Sequence, residues 1–332
     1  MISVKPPFFF TLQNFTGDVP HFSHTDMYKI VICIPTYRRP AMLEQLLFSI
    51  FDNKMDMSLI KEMDIIIVDN DIEKSAETVV NSINEDIGRP GKLIYYNYPV
   101  KGLSNVRNEL LNQAFLLNPD FIIFIDDDEF VTTNWANELI KSIVSNNADA
   151  SMGPVTAKLG EPVSKYISYF FRRKDHPDNS QVFKFATGNL IMRRVSIEKF
   201  NVRFDNRFNS TGSEDSFFGI QLMKKGARVY WAAKAVVYET IPENRATLNW
   251  LIKSHYNHAL TYTYILKLER EYFLLFKKTL VSSGYFLTGS LALLAFLFPF
   301  KWKYWGILKT AESLGGFAGL FSIHFHEYAK DR

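Results

Sequence analysis

Between residues 28 and 157, short apolar runs alternate with longer segments whose apolar side chains recur every three or four positions. The first pattern marks a buried strand, the second a helix with one apolar face. Ile30 to Ile34, Ile65 to Val68, Leu93 to Tyr96 and Phe121 to Ile125 are the predicted strands. Pro40 stands at a helix start, and Leu43, Leu46, Leu47, Ile50 and Phe51 follow on one face. A second such face, Val106, Leu110, Leu111, Ala114, Phe115 and Leu117, precedes the fourth strand. Strand and crossover helix repeated in this way predict an α/β fold: a Rossmann-like, mostly parallel central sheet flanked by helices.

The rhythm then changes twice. From Ala150 to about Tyr238, Gly153, Gly160, Gly188, Gly212 and Gly226 punctuate short segments, as in a binding region grown onto a sheet. Leu248 to about Lys267 reads as a helix rich in Tyr and His. Thr279 to Phe300 holds no charged residue and is bracketed by Lys277, Lys278, Lys301 and Lys303. As one helix it would cover about 33 Å at ~1.5 Å per residue, enough for a bilayer core. A shallow membrane hairpin, with Ser313 to Ile323 as its second arm and Trp302 and Trp305 at headgroup depth, keeps every lysine on one side. A buried helix hairpin or an oligomer interface is the alternative; the oligomeric state stays open.

Charge sharpens this picture. The 38 basic and 35 acidic residues of the 332 give a net charge of +3, too little to argue for a nucleic-acid partner. Eight basic and four acidic residues fall between Arg270 and Arg332, so the excess belongs to the C-terminal tail. The single cysteine, Cys33, excludes an intrachain disulfide and a multi-cysteine metal site, and fits a reducing, cytosol-facing compartment. No secretory leader is expected, since the cluster Phe8 to Phe10 is too short for one.

The candidate chemistry sits at strand ends. In FIIFIDDDEFV, Phe121 to Val131, a strand runs into four consecutive carboxylates, which repel one another unless a cation or ligand compensates them. Ligands of open α/β sheets bind at that carboxyl edge. Extended geometry through the run would point Asp126 and Asp128 to one side and Asp127 to the other. Oxygen-only ligands suit Mg²⁺ or Mn²⁺. Asp69 ends the second strand, and Pro35, Thr36, Tyr37 and Arg38 end the first, which predicts a nucleotide crevice. Neither a G-x-G-x-x-G fingerprint nor a P-loop occurs, so phosphate charge requires a metal and arginine.

The ordered set PTYRRP, IVDND, Gly102-x-Ser104-x-x-Arg107-Asn108, DDDE, Thr187 to Asn189 and GSEDSFFG resembles inverting glycosyltransferase family 2, with its A-type fold. The string ETIPENRATLNWLIK, residues 239 to 253, is similar to that of succinoglycan-type β-glucosyltransferases of bacterial exopolysaccharide assembly. The resemblance implies that Pro35, Thr36, Tyr37, Arg38 and Asp69 line the nucleoside site and that Arg107 meets the diphosphate. It further implies that Asp126 and Asp127 serve the ribose or donor sugar, that Asp128 holds the metal, and that Asp215, beside Glu214, is the catalytic base. Related enzymes usually carry His before Glu239, where Tyr238 stands here, so either Glu239 substitutes as a ligand or water and the diphosphate complete the metal's shell.

The implied division is a leader over 1–27, a catalytic domain over 28–268 and a membrane-associated helical region over 269–332. Within the catalytic domain, 28–157 would bind the nucleotide sugar and 158–268 the acceptor. The implied activity is metal-dependent hexosyl transfer, with Mn²⁺ or Mg²⁺, from UDP-glucose to a lipid-linked oligosaccharide at the cytoplasmic face of the bacterial inner membrane. Chemistry asks for the same groups: a carboxylate must take the acceptor proton, and cationic groups must stabilise the departing diphosphate. A phosphatase using Asp126 and Asp128, and a non-catalytic nucleotide-sugar-binding scaffold, are the competing readings. His255 and His258 are spaced for a metal but have no third ligand nearby in sequence; His324 and His326 read as boundary residues. Tyr256, Tyr262, Tyr264, Trp135 and Trp250 read as packing residues or as the lining of an acceptor site.

Overall fold

A computed structural model describes residues 27–84, 91–160, 163–183, 185–209, 211–294 and 300–321. The predicted alternation appears as β1 (Tyr28–Thr36), α1 (Pro40–Phe51), β2 (Ile60–Asp69), α2 (Glu77–Asn84), β3 (Leu93–Asn97), α3 (Leu103–Leu116) and β4 (Phe121–Phe124). Beyond it come β5 (Glu129–Val131), α4 (Trp135–Ser145), β6 (Ala150–Met152), β7 (Val155–Leu159), α5 (Lys165–Ser168), β8 (Leu190–Arg193), α6 (Arg194–Phe200), α7 (Glu214–Lys224), β9 (Val229–Trp231) and β10 (Val237–Ile241). Three long helices follow, α8 (Leu248–Leu268), α9 (Tyr272–Leu294) and α10 (Phe300–Leu320).

Seven strands form the main sheet in the order β3-β2-β1-β4-β8-β6-β9. β1 runs parallel to β2 and β4, with Ile32 beside both Ile65 and Ile123. β8 is the antiparallel member, paired with β4 and β6. The segment read as a binding region grown onto the sheet supplies β6, β8 and β9 to the sheet itself.

Both faces of the sheet are covered. Ile30, Ile32 and Ile34 pack with Leu43, Leu46 and Leu47 of α1 and with Trp135, Leu139 and Ile140 of α4. Val31 and Cys33 face the other way, onto Val106, Leu110 and Leu111 of α3. Burial on two sides is why β1 reads as a continuous apolar run rather than an alternating one. Cys33 is fully buried, and burial pushes its thiol far up, so it acts as a small apolar side chain.

The chain divides into two compact units. One comprises 1–156, 173–206 and 214–240, the other 157–172, 207–213 and 241–332. α8 lies with α9 and α10 in the second of these units. Glycine sets the packing: a Cβ on Gly315 of α10 would lie 2.0 Å from the Tyr256 carbonyl oxygen of α8. Among the described residues no helix is long and apolar enough to cross a membrane. α9 instead includes Lys277 and Lys278, and 295–299, His324 and His326 lie outside the described residues. α9 does present Phe273, Phe276, Leu280, Leu287 and Leu291 to solvent.

Candidate active site

The first unit gathers the predicted carboxylates at the carboxyl end of β4. The chain does not continue extended through them: the Glu129 amide donates to the Asp126 carbonyl at 3.2 Å, closing a turn centred on Asp127 and Asp128. The expected alternation therefore fails. One nitrogen of Arg39, Nη1, donates to Asp127 at 3.0 Å and to Asp128 at 2.9 Å. The Thr36 hydroxyl donates to the other Asp127 oxygen at 2.8 Å, so this strand-end residue meets the acidic turn directly. Burial pushes the Asp127 carboxyl up to about 6, against the pull of Arg39.

The first strand end splits its two arginines. Arg38 takes a left-handed backbone, φ 55°, and its Nε donates to Asp71 at 3.2 Å. Arg39 then starts α1 with Pro40 at its first turn and turns to the acidic residues instead. Pro35 is buried within β1, and Tyr37 is exposed, with the Arg38 guanidinium 5.1 Å from its ring. Asp69 has no exposed surface; its carboxylate accepts from the amides of Asp71 and Ala76 and from the Tyr95 hydroxyl. In this arrangement it shapes the loop after β2.

The Gly102 to Asn108 motif is accounted for residue by residue. Gly102 has φ 112° at the start of α3, a conformation open to glycine. The Ser104 hydroxyl donates to the Asp205 carbonyl, and Asn108 exchanges two bonds with the Phe204 backbone. Arg107 is buried, and gives Nη2 to Asp126 at 3.0 Å and Nη1 to Glu214 in a very short contact. Burial pushes the Glu214 carboxyl up to about 7, while the Arg107 charge opposes the rise. Asp215, next along α7, is half-buried and accepts from the Ser216 amide at 2.6 Å.

Two contributors were given no role by sequence reasoning. Arg39 was hidden as the second arginine of PTYRRP, since its partners lie 88 and 89 positions away. Glu129 is buried, accepts from the Asp126 amide, and sits where a Cβ on Gly188 would lie 2.6 Å from its carboxylate. The glycine of TGN, which leaves room for that carboxylate, is the trace it leaves in the sequence. The Asn189 amide donates to the Ala235 carbonyl at 2.6 Å and its oxygen accepts from Trp135, tying β8 to neighbouring loops and making Trp135 core.

Glu239 lies opposite Glu129 in the antiparallel β5–β10 pair and accepts from Arg173. Among the described residues no three His, Cys, Asp or Glu side chains form a metal-holding group, which includes His255 and His258. The oxygen donors of the acidic turn still fit a hard divalent ion of the kind held by one or two carboxylates plus substrate phosphates. Asp128 is the residue that would hold it, and the ion would supply positive charge to a departing diphosphate.

The family model described as glycosyl transferase family 2 matches residues 31–200. The chain belongs to that family. A second model, glycosyl transferase family group 2, matches 121–322. The chain is 29% identical over 239 residues to the succinoglycan biosynthesis protein ExoM of Rhizobium meliloti, covering 70% of this chain and 74% of that protein. It is 24% identical over 253 residues to the GalNAc(5)-diNAcBac-PP-undecaprenol beta-1,3-glucosyltransferase of Campylobacter jejuni, covering 74% and 75%. In fold it is similar to S. aureus TarS 1–349 in complex with UDP, with TM-score 0.50, 13% identity and coverage of 90% and 93%. It is also similar to GalNAc-T7 with UDP, GalNAc and Mn²⁺, with TM-score 0.52, 15% identity and coverage of 72% and 51%. This family 2 glycosyltransferase is an enzyme, and the phosphatase and scaffold readings fall with that membership.

Proposed function

We propose that this glycosyltransferase inverts the anomeric centre of a UDP-hexose, glucose being the expected sugar, and transfers it to a lipid-linked oligosaccharide in bacterial surface polysaccharide synthesis. The observation that carries the reading is the convergence of Thr36, Arg39, Asp126, Asp127, Asp128 and the Arg107–Glu214 pair at one carboxyl edge, with Asp215 next in sequence. The name of the Campylobacter relative supports the lipid-linked acceptor, the glucose and the β linkage, and that of the Rhizobium relative supports a place in succinoglycan-type biosynthesis. The solved structures with UDP support the nucleotide.

In this reading the half-buried Asp215 takes the proton of the acceptor hydroxyl as its oxygen attacks the anomeric carbon. The diphosphate leaves on the opposite face, and positive charge at the acidic turn stabilises it. Tyr37 and Arg38 flank the nucleoside, with Pro35 and Asp69 shaping the walls behind them. Arg107, held by two carboxylates, aligns the acidic turn with the start of α7. Asp128 would hold Mn²⁺ or Mg²⁺, with Glu239 as a further oxygen donor.

The exposed apolar face of α9, with Lys277 exposed on the same helix, supports attachment to the cytoplasmic membrane surface, where a lipid-linked acceptor resides. Asp215→Asn tests the core of the proposal in a transfer assay with UDP-glucose and a lipid-linked acceptor. Turnover is expected to fall by about 10²-fold or more, with UDP affinity retained. Turnover like that of the wild type would remove Asp215 as the base.

A further inference from the structure

Asp127 and Asp128 are nearly buried neighbours in one turn, a placement that needs a counter-charge. Arg39 supplies it. A single nitrogen, Nη1, bridges both carboxylates, whereas its Nε and Nη2 make no hydrogen bond among the described residues. That is a one-point grip rather than the two-pronged fork by which arginine usually holds carboxylates. The side chain is also 35% exposed, so water reaches it and its departure leaves no dry cavity.

The backbone aims Arg39, and not its neighbour Arg38, at Asp127 and Asp128. Arg38, in its left-handed conformation, turns its own guanidinium to Asp71 on a different strand end. Arg39 emerges at the start of α1, whose first-turn amide groups favour negative charge nearby. A cationic side chain with one nitrogen on two metal-type oxygens therefore stands beside the ground a nucleotide diphosphate would occupy.

We infer that Arg39 is an exchangeable counter-cation: it holds Asp127 and Asp128 in the resting enzyme, yields Asp128 to a divalent cation, and turns to the diphosphate that arrives with it. The inference rests on the nucleotide-sugar reading for its second half only. Charge balance favours the exchange. The two aspartates and a doubly charged diphosphate together exceed what one divalent ion neutralises, so the guanidinium has a partner before and after. Arg39 is thus both a competitor of the free cation and a ligand of the loaded substrate.

The test measures binding of Mn²⁺ alone, from the free-ion paramagnetic resonance signal, in wild type, Arg39→Gln and Arg39→Lys. Without nucleotide, Arg39→Gln is expected to bind Mn²⁺ about tenfold tighter than wild type, since a competing unit charge near 3 Å has been removed at a water-accessible site. Arg39→Lys, which keeps the charge on a shorter reach, is expected between the two and serves if the glutamine variant does not fold. Unchanged or weaker Mn²⁺ binding in the folded variants, or none in any of the three, overturns the counter-cation role. At saturating Mn²⁺, UDP is expected to bind about tenfold more weakly to Arg39→Gln, and equal UDP affinity overturns the diphosphate half. Wild type that binds Mn²⁺ but not UDP sinks the nucleotide reading and that half with it, while the Mn²⁺ ratio still decides the first.

Discussion

Arg107 reaches the acidic turn from α3 with a side chain 4% exposed, giving one terminal nitrogen to Glu214 and the other to Asp126. Arg39 reaches the same turn from the start of α1, 35% exposed, with one nitrogen shared between Asp127 and Asp128. The chemistry of the pairs is alike and their physical consequences are not. A buried fork has no substitute when one partner goes, because the remaining charge is left in a poor dielectric. A partly solvated single contact can be replaced by water or by another cation. The first arginine is built to stay and align, the second to let go.

The largest effect that would break this comparison is on stability. Arg107→Met keeps much of the side-chain volume but leaves Glu214 buried beside no cation. Loss of a buried partner costs about 3–5 kcal/mol, and protonation of Glu214 brings the value toward the lower end. Urea unfolding at pH 8 followed by tryptophan fluorescence measures it. A loss below about 1 kcal/mol would place Arg107 in the same class as a surface pair.

Glu214 gives a smaller, pH-dependent effect. Its carboxyl is raised in the folded protein, to about 7 from an ordinary 4.5, chiefly by burial. Between these values the native state holds a proton that the unfolded chain has released, so stability falls as pH rises through that window. Above pH 7 the full cost is present, and below about pH 4.5 it vanishes. Glu214→Gln removes the titrating group, so its stability curve between pH 5 and 8 is expected to be flatter by about 1–3 kcal/mol. Parallel curves for the two proteins would mean that Arg107 fully offsets burial and Glu214 ionises normally.

The two arginines also differ in how far sequence reveals them. Arg107 stands in a spaced motif, and Gly102, Ser104 and Asn108 beside it fix the start of α3 through bonds that leave a pattern in the chain. β1, the second half of β2 and β4 were legible for a related reason, since burial on both faces writes an unbroken apolar run. β5, β6 and β9 are three residues long, too short to express any period, and β8 pairs antiparallel against the prevailing direction. Asp126, Asp127 and Asp128 announced the site, but the turn that cancels their alternation depends on the Glu129 amide finding Asp126. Arg38 was read into the site and Arg39 was not, because the left-handed φ that sends them apart has no signature in an arginine pair. The apolar tail was legible as apolar, and α9 and α10 approach closely at glycines such as Gly306, where a Cβ would lie 3.0 Å from that of Ala292.

Removing the exchangeable arginine gives the smallest effect and the sharpest contrast. Without added metal, Arg39→Gln is expected to lower stability by no more than about 1–2 kcal/mol, because water enters where the guanidinium stood and Thr36 still donates to Asp127. Saturating Mn²⁺ should then raise the melting temperature of Arg39→Gln by more than that of wild type, since a cation that binds the native state more tightly stabilises it more. Arg107→Met should gain less from Mn²⁺ than Arg39→Gln, for its loss falls largely on the buried Glu214 and only through Asp126 on the acidic turn. Melting curves of the three proteins with and without Mn²⁺, at about 0.15 M salt so that surface charges are screened, put the two arginines on one scale. Equal rescue of both variants by the metal would show that the acidic edge responds as a single charge reservoir, and the division between an aligning and a yielding arginine would be lost.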